Sequence, residues 1–195
     1  GLIICTKKLK SLKIDPYSGI VESETGVMLP TLSNLLAKNG LQGGEWAVGV
    51  PGTVGGAIYM NAGSKNLSLE KNLISVKAID TQTLKKLEIE KKDLNFSYRF
   101  SPFQNNNLII TSAKMQFKPK GNIEQLLKTT KRNLKFKTET QPYHLPSFGS
   151  VFKNPKNNYA AKLIDELALK GFKVGDAEIS TMHANFIVNN SSANS

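Results

Sequence analysis

The chain has 195 residues, of which 39% are hydrophobic and 21% charged, so it can form a packed core and does not resemble a disordered chain. Its one cysteine, Cys5, excludes an intramolecular disulfide and a cysteine-based metal cluster. No apolar run approaches the roughly 20 residues of a membrane span, and no secretory leader opens the sequence. We therefore expect a cytoplasmic protein without a metal. The net charge of +11 fits either solvated lysines or attraction of an anionic ligand.

Residue types and apolar spacing predict strands and two helices in the first part of the chain. Thr31 is the expected cap of the first helix, and Gly40 its stop. In the strand predicted over 108–117, Ile110, Ser112 and Lys114 are expected to share one face. In chain order the predicted elements are strand, turn and strand over 1–15, a turn over 16–19, a strand over 20–24, helices over 32–39 and 54–59, and strands over 73–80, 86–90 and 108–117.

The remainder of the chain predicts two helices and a strand. Asn122 caps a helix that runs to about Phe136, and a second helix over 159–170 should turn Leu163, Ile164 and Leu167 inward. Residues 141–158 are expected to be irregular and 186–189 to form a buried strand. The turn-forming sequence Lys-Pro-Lys-Gly at 118–121 is the predicted boundary between domain 1–119 and domain 120–195. Because strands come first along the chain and helix–strand units follow, we predict an α+β protein with two unequal parts.

An apolar stretch at 47–63 contains five glycines and one proline. Gly52, Gly55 and Gly56 permit close approach of the backbone to a ligand, while Pro51 pre-sets a turn. Free main-chain N–H groups followed by a short helix form a cradle for anionic oxygens. The spacing matches neither the Walker pattern nor the dinucleotide fingerprint, and a buried turn without a ligand explains it equally well.

Two residues could carry chemistry. Arg99 follows a mostly apolar stretch, and its planar fork suits a carboxylate or an enolate, although a structural ion pair would also explain it. Ser150 lies in a non-helical stretch, where a serine is usually a turn hydroxyl. No histidine–acid pair is visible near Ser150 in the sequence, so a hydrolase triad is rejected.

Later polar residues could bind a ligand. Lys153 offers a point charge for phosphate, and Asn154 offers both a donor and an acceptor. Lys162 stands near a helix start, where a cation is unfavourable unless an anion accompanies it; simple exposure to solvent is the alternative. His183 and Asn185 precede a strand and could line a cleft.

Four stretches, in the same order, resemble the UDP-N-acetylenolpyruvoylglucosamine reductase family: 49–57 with 60–63, then 98–103, then 146–155, and finally 161–165 through 183–189. The resemblance implies a flavoenzyme in which NADPH reduces FAD, which then reduces UDP-N-acetylglucosamine enolpyruvate to UDP-N-acetylmuramate for peptidoglycan. It further implies a vanillyl-alcohol-oxidase-type FAD-binding domain in 1–119 and the start of a smaller α/β substrate-binding domain in 120–195.

The same resemblance implies a role for individual residues. Arg99 would stabilise charge near the substrate carboxylate, and Ser150 would donate a proton to the substrate carbanion. Lys153, Asn154 and Lys162 would contact the UDP-sugar. The implied protein is a monomer that binds neither nucleic acid nor a membrane. The expected cofactor-binding residues are Pro51, Gly52, Thr53, Gly55, Gly56, Asn61 and Gly63.

The sequence departs from the family pattern in three ways. The family's opening Gly-Ser-Asn turn is missing, as is its closing strand with the catalytic glutamate. Phe148 stands where a small residue or cysteine is usual. We therefore expect a fragment, truncated at both ends, that is weakly yellow or colourless when purified.

Two other functions remain open. One is another FAD-dependent oxidase or dehydrogenase of the same cofactor fold. The other is a basic nucleic-acid-binding module or an inactive fragment. The aromatic residues, 8% of the chain, are not interleaved with the lysines as stacking platforms for bases would be.

Overall fold

A computed structural model describes residues 3–64 and 66–194. The chain divides into two compact units, Gly1–Asn133 (unit 1) and Leu134–Ser195 (unit 2). The division falls inside a helix, Ile123–Thr140 (α3), rather than at the punctuation after Pro119. Whether residues 1–119 and 120–195 are the cofactor and substrate domains stays a prediction.

Unit 1 is built on a five-stranded antiparallel sheet. Its strands lie in the order β1-β2-β7-β5-β6, and a small hairpin, β3-β4, stands apart from it. The strands predicted over 20–24, 73–80 and 86–90 are confirmed, and the strand predicted over 108–117 ends one residue earlier. The bounds are Leu12–Ile14 (β1), Ile20–Glu24 (β2), Gly63–Ser64 (β3), Leu67–Ser68 (β4), Leu73–Asp80 (β5), Lys86–Glu90 (β6) and Leu108–Gln116 (β7).

Two helices of unit 1, Leu29–Lys38 (α1) and Val54–Tyr59 (α2), share one buried apolar cluster with the sheet. Leu32 and Leu36 lie one turn apart on α1, and both are buried with Ile58 of α2 and Met115 of β7. The helix spacing of three and four residues places these side chains on one face, and burying that face stabilises the helix. This core fixes α2, which follows the glycine-rich stretch.

The expected alternation along β7 is wrong at Ile110. Ile110 is buried with the core, whereas Ser112 and Lys114 line the opposite, polar face of the sheet. The register of β7 against β5 shifts between Lys77 and Ala78, which leaves one residue of β7 unpaired. A bulge of this kind reverses the facing of the residues beyond it, and periodicity alone does not reveal it.

Unit 2 contains a four-stranded antiparallel sheet in the order β8-β11-β10-β9 and a short helix, Ala160–Glu166 (α4). The predicted strand over 186–189 is confirmed. Few large apolar side chains in the described part of this unit are buried, among them Phe186 and Val188. The strands are Ser147–Ser150 (β8), Lys173–Val174 (β9), Ala177–Ile179 (β10) and Phe186–Asn189 (β11).

The structure differs from the prediction in the start of α1, the end of α3 and the inward face of α4. α1 begins at Leu29 with Pro30 in its first turn, so Thr31 lies inside the helix and is not its cap. The inward face expected of α4 is wrong, because Leu163 is 39% and Leu167 69% exposed. Asn122 is confirmed as the cap of α3, since its Oδ1 accepts the Gln125 N–H at 2.9 Å, but α3 continues to Thr140.

The ends of the chain and the stretch after α3 also differ. Residues 3–6 form no strand, and Gly1 and Leu2, where the same strand was expected, lie outside the described residues. β8 falls in 141–158, which was expected to be irregular. Across residues 3–64 and 66–194, no helix is both long enough and apolar enough to cross a membrane.

Candidate functional site

The glycine-rich turn, residues 49–53, leads from the core into α2. Gly52 faces open space, since a Cβ there would meet no atom within 4 Å. The main-chain N–H groups of Gly52 and Thr53 have no acceptor among the described residues, and Pro51 carries no N–H. Two successive donors without a protein acceptor, beside an open Cα, are available to anionic oxygens.

Thr53 caps α2. Its Oγ1 accepts the Gly56 N–H at 3.3 Å, and its carbonyl accepts the Ala57 N–H at 2.9 Å. This cap directs the turn and explains why a helix of six residues starts at Val54.

The three predicted glycines of this region differ in their surroundings. A Cβ at Gly55 would stand 2.7 Å from the Cβ of buried Thr25, and the Gly55 N–H already donates to the Thr25 carbonyl at 3.0 Å. Gly55 is thus needed for packing α2 against the chain after β2. Gly56 is exposed, and a Cβ at Gly63 would stand 2.1 Å from the Leu67 carbonyl oxygen inside the β3-β4 hairpin.

The structure brings Arg99 together with two predicted cofactor-binding residues, Asn61 and Gly63. The Arg99 guanidinium donates from Nη1 to the Asn61 carbonyl at 3.3 Å and from Nη2 to the Gly63 carbonyl at 3.0 Å. The Asn61 side chain donates from Nδ2 to the Ser97 carbonyl at 2.8 Å. The chain after α2 and the Arg99 segment are therefore tied to each other by three hydrogen bonds.

Arg99 makes no ion pair with the described residues. Its fork is held by carbonyls, and its charge lies 5.1 Å from the centre of the Tyr98 ring. The structural ion pair considered from the sequence is therefore absent among these residues. A half-buried guanidinium without a carboxylate partner keeps a full positive charge and spare N–H donors for an anion.

Asn61 supplies a second unsatisfied group. The residue is 5% exposed, and its Oδ1 is buried without a hydrogen-bond partner among the described residues. A buried acceptor left unpaired costs about 1–3 kcal/mol. A ligand with an N–H or O–H donor would satisfy it.

Two residues that the sequence did not single out hold this region in place. Ser101 donates from Oγ to the Tyr59 carbonyl at 2.7 Å, and Gln104 donates from Nε2 to the same carbonyl at 2.8 Å. Gln104 also donates to the Arg99 carbonyl at 3.3 Å. The end of α2 is thus anchored to residues more than forty positions along the chain, which no local pattern reveals.

In unit 2, Ser150 ends the edge strand β8. Ser150 pairs with Phe186, and Ser147 pairs with Val188, so two residues of β8 lie opposite one residue of β11. Gly149, at φ 73°, lies within this bulge in a conformation that glycine adopts freely. The Ser150 residue is exposed, and its hydroxyl bonds to none of the described residues. The turn-hydroxyl interpretation therefore lacks a backbone partner here.

The three predicted substrate-binding residues have different environments. Lys153 is exposed. The Asn154 Oδ1 accepts the Ala160 N–H at 3.1 Å, which ties the loop after β8 to the start of α4. Lys162 forms an exposed ion pair with Glu166 at 3.7 Å, which supplies the anion that its place near a helix start requires. A role in substrate binding stays a prediction for all three.

His183 is half-buried beside the loop that precedes β11. Burial lowers the pKa of His183 from 6.5, and the nearby Lys170 lowers it further, against the opposing effect of a backbone hydrogen bond. The His183 ring lies edge-on to Phe186 at 4.8 Å, and its Nδ1 accepts the Asn185 N–H at 3.2 Å. These contacts give the neutral imidazole a structural role.

Comparisons with known proteins match both parts of the chain. Residues 1–83 match the family described as FAD binding domain, and residues 141–195 match the family described as UDP-N-acetylenolpyruvoylglucosamine reductase, C-terminal domain. A UDP-N-acetylenolpyruvoylglucosamine reductase of Prochlorococcus marinus subsp. pastoris is 76% identical over 195 residues, covering 100% of this chain and 66% of the relative.

The chain belongs to the UDP-N-acetylenolpyruvoylglucosamine reductase family. A reductase of that name from Synechococcus sp. (strain RCC307) is 44% identical over 99% of this chain and 63% of its own. The crystal structure of the Thermus caldophilus reductase superposes with a TM-score of 0.79 at 35% identity, over 88% of this chain and 62% of its own. The chain thus spans about two thirds of the length of these relatives. The predicted family and the α+β fold with an FAD-binding part are confirmed.

The residues of unit 1 fit a dinucleotide flavin in chemical character. The free N–H groups of Gly52 and Thr53 and the unpaired charge of Arg99 suit anionic oxygens, and the orphaned Asn61 Oδ1 suits a donor. Among these groups the Asn61 Oδ1 is buried without a partner in the described part of the chain, so a ligand donor there would offset the cost of its burial.

Proposed function

We propose that the chain functions as an FAD-containing, NADPH-dependent reductase that converts UDP-N-acetylglucosamine enolpyruvate to UDP-N-acetylmuramate in peptidoglycan synthesis. The observation that carries this proposal is the match of the whole chain, at 76% identity, to a reductase of the family. The proposed protein is a cytoplasmic monomer whose ligands, FAD, NADPH and the UDP-sugar, are all anionic.

Unit 1 would hold the cofactor. The Gly52 and Thr53 amides would bind anionic oxygens of the dinucleotide at the turn that Pro51 initiates, with Gly56 leaving the surface open. The Asn61 Oδ1 would accept a hydrogen bond from the cofactor, and Gly63 would position the Arg99 fork. Bound FAD, once reduced by NADPH, would supply the hydride that adds to C3 of the enolpyruvyl group.

Arg99 would stabilise the charge that this addition creates. The electron pair of the double bond moves to C2 and spreads into the carboxylate as an enolate. A guanidinium that is preorganised by two carbonyl contacts, without a competing carboxylate, lowers the energy of such a charge without first having to reorganise.

Ser150 would complete the reaction as a general acid. Its O–H bond breaks, the proton forms a new C–H bond at C2, and the enolate electrons become that bond. The hydroxyl is exposed and bonds to no described residue, so it is free to turn toward a substrate. Lys153, Asn154 and Lys162 would bind the UDP-sugar from the loop after β8 and from α4.

The proposed function is tested by NADPH oxidation that depends on the enolpyruvyl sugar, in a chain extended to the length of the relatives. We expect Ser150→Ala to lose about 10²–10⁴-fold in turnover while NADPH still reduces the flavin, because only the proton donor is missing. Ser147→Ala, on the same strand, should keep turnover. Wild-type turnover in Ser150→Ala would refute the assignment of the proton donor.

A further inference from the structure

The buried amide of Asn185 in unit 2 bonds to the main chain just beyond the end of β8, the strand that carries Ser150. Asn185 is 4% exposed. Its Oδ1 accepts the Phe152 N–H at 2.9 Å, and its Nδ2 donates to the Phe152 carbonyl at 2.8 Å. Because a main-chain N–H and a main-chain carbonyl face the two ends of the amide, only one orientation of the side chain satisfies both.

The main chain of Asn185 adds a third bond at the same place. Its carbonyl accepts the Val151 N–H at 3.0 Å. The β8-β11 pairing ends at Ser150 opposite Phe186, so Val151 and Phe152 lie beyond the regular ladder. Asn185 thus continues the attachment of the chain to the sheet for two further residues, after the strand itself has ended.

These bonds lie between Ser150 and Lys153, two of the residues that would contact the substrate. Ser150 lies between the bulge at Gly149 on one side and the Asn185-bound pair Val151–Phe152 on the other. Lys153 follows directly. Without the Asn185 side chain, the Phe152 N–H and the Phe152 carbonyl would lose their partners, and the bond from the Val151 N–H to the carbonyl of residue 185 would remain.

The two aromatic side chains next to Ser150 do not hold this segment by burial. Phe148 is 90% exposed and Phe152 58% exposed. Main-chain bonds therefore place Ser150 more than these rings do, and Asn185 supplies the bonds on the C-terminal side.

We infer that Asn185 is a positioning residue, which fixes the Ser150 hydroxyl and the Lys153 ammonium for the substrate by holding the main chain of Phe152. The inference rests on the proposed function of this loop. It predicts an effect that passes through the loop and not through direct contact of Asn185 with the ligand.

The test compares Asn185→Ala with Asn189→Ala in this chain. Asn189 is a matched control, since it lies on β11, accepts two main-chain N–H bonds from Ser191 and Ala193, and donates to the Ala193 carbonyl. Asn189→Ala therefore removes a similar set of hydrogen bonds at a different place in unit 2. Asn185→Asp, which keeps the acceptor and loses the donor, should lie between wild type and Asn185→Ala.

Two measurements separate the inference from the proposed function. Amide hydrogen exchange should accelerate roughly tenfold or more at Phe152, whose N–H loses its side-chain acceptor, in Asn185→Ala and not in Asn189→Ala. Titration with UDP-N-acetylglucosamine should show affinity roughly tenfold weaker in Asn185→Ala than in Asn189→Ala. Unchanged exchange, or faster exchange with unchanged affinity, overturns the inference.

If wild type does not bind the UDP-sugar, the proposed function fails in this chain, and NMR order parameters at residues 150–153 decide the inference. Lower order in Asn185→Ala alone supports it. Equal order in Asn185→Ala and Asn189→Ala overturns it.

Discussion

At the scale of single residues, the chain combines groups that are fully bonded with groups that have no partner. The Arg99 fork is held by two carbonyls, yet its charge is unpaired among the described residues, while Asn61 donates from Nδ2 and leaves Oδ1 without a partner. This division of each side chain into an anchored half and an available half is what a preorganised binding group requires.

His183 gives unit 2 a pH-dependent stability. Its pKa is lowered in the folded protein, so the unfolded chain takes up a proton at a higher pH than the folded one. The stability that the neutral ring contributes is present above pH 6.5 and is lost as the pH falls through the folded pKa. Protonation at Nδ1 would also remove the acceptor for the Asn185 N–H.

We therefore expect the urea midpoint of unit 2, followed by its own amide signals, to fall between about pH 7.5 and about pH 5.5. His183→Gln should remove most of this fall, whereas His144→Gln, at the exposed histidine, should keep it. An equal fall in wild type and His183→Gln would contradict the prediction.

At the scale of elements, two adjacent glycines of α2 have opposite requirements. Gly55→Ala places a Cβ against buried Thr25, which should destabilise unit 1 by about 1–3 kcal/mol. Gly56→Ala has only the Thr53 Oγ1 nearby, at 3.6 Å, and it should stabilise α2 by about 0.5–1 kcal/mol through helix propensity.

Denaturant unfolding of both variants checks the opposite signs, with wild type as the common reference. A stabilising effect of Gly55→Ala, or a loss of stability in Gly56→Ala larger than in Gly55→Ala, would show that Thr25 does not limit the packing of α2.

Elements were predictable from sequence where local pattern alone decides them. β2, β5, β6 and α2 have the bounds that turn residues and periodicity predicted. β8 was missed because Gly149 resembles a loop residue and becomes part of a strand only through its bulge against β11. Ile110 was assigned to the wrong face because its bulge depends on β5.

The residue types of the candidate site could be predicted from the sequence, but the hydrogen bonds that hold them in place could not. The glycine-rich turn, Arg99 and Ser150 could be singled out by chemistry and by resemblance. Their supports, Ser101, Gln104 and the bonds of Asn185, depend on pairings across more than thirty residues of sequence. Such contacts leave no period and no spacing in a single sequence.

At the scale of the whole molecule, the two units differ in how much apolar surface they bury. Unit 1 has one large cluster that joins the sheet to α1 and α2. Unit 2 leaves Phe148, Leu167 and Val174 more than two thirds exposed, at 90%, 69% and 71%. Because buried apolar area is the main stabilising contribution, unit 2 should be the less stable of the two.

Native-state hydrogen exchange measures this difference. We expect amides of Val76 and Met115, both fully buried in unit 1, to exchange at least roughly tenfold more slowly than those of Phe186 and Val188 in unit 2. Equal protection of all four amides would indicate that the two units open together.

The Tyr59 carbonyl accepts hydrogen bonds from both Ser101 and Gln104. The glycine-rich sequence therefore depends on a distant segment of the chain, which limits its transfer to another protein. A synthetic peptide of residues 49–63 would carry every glycine of the turn and all of α2, but neither hydroxyl nor amide donor from the distant segment. Its six-residue helix would be too short to persist in water without those tertiary anchors. Grafting this motif into another scaffold therefore requires transplanting the 97–104 segment with it.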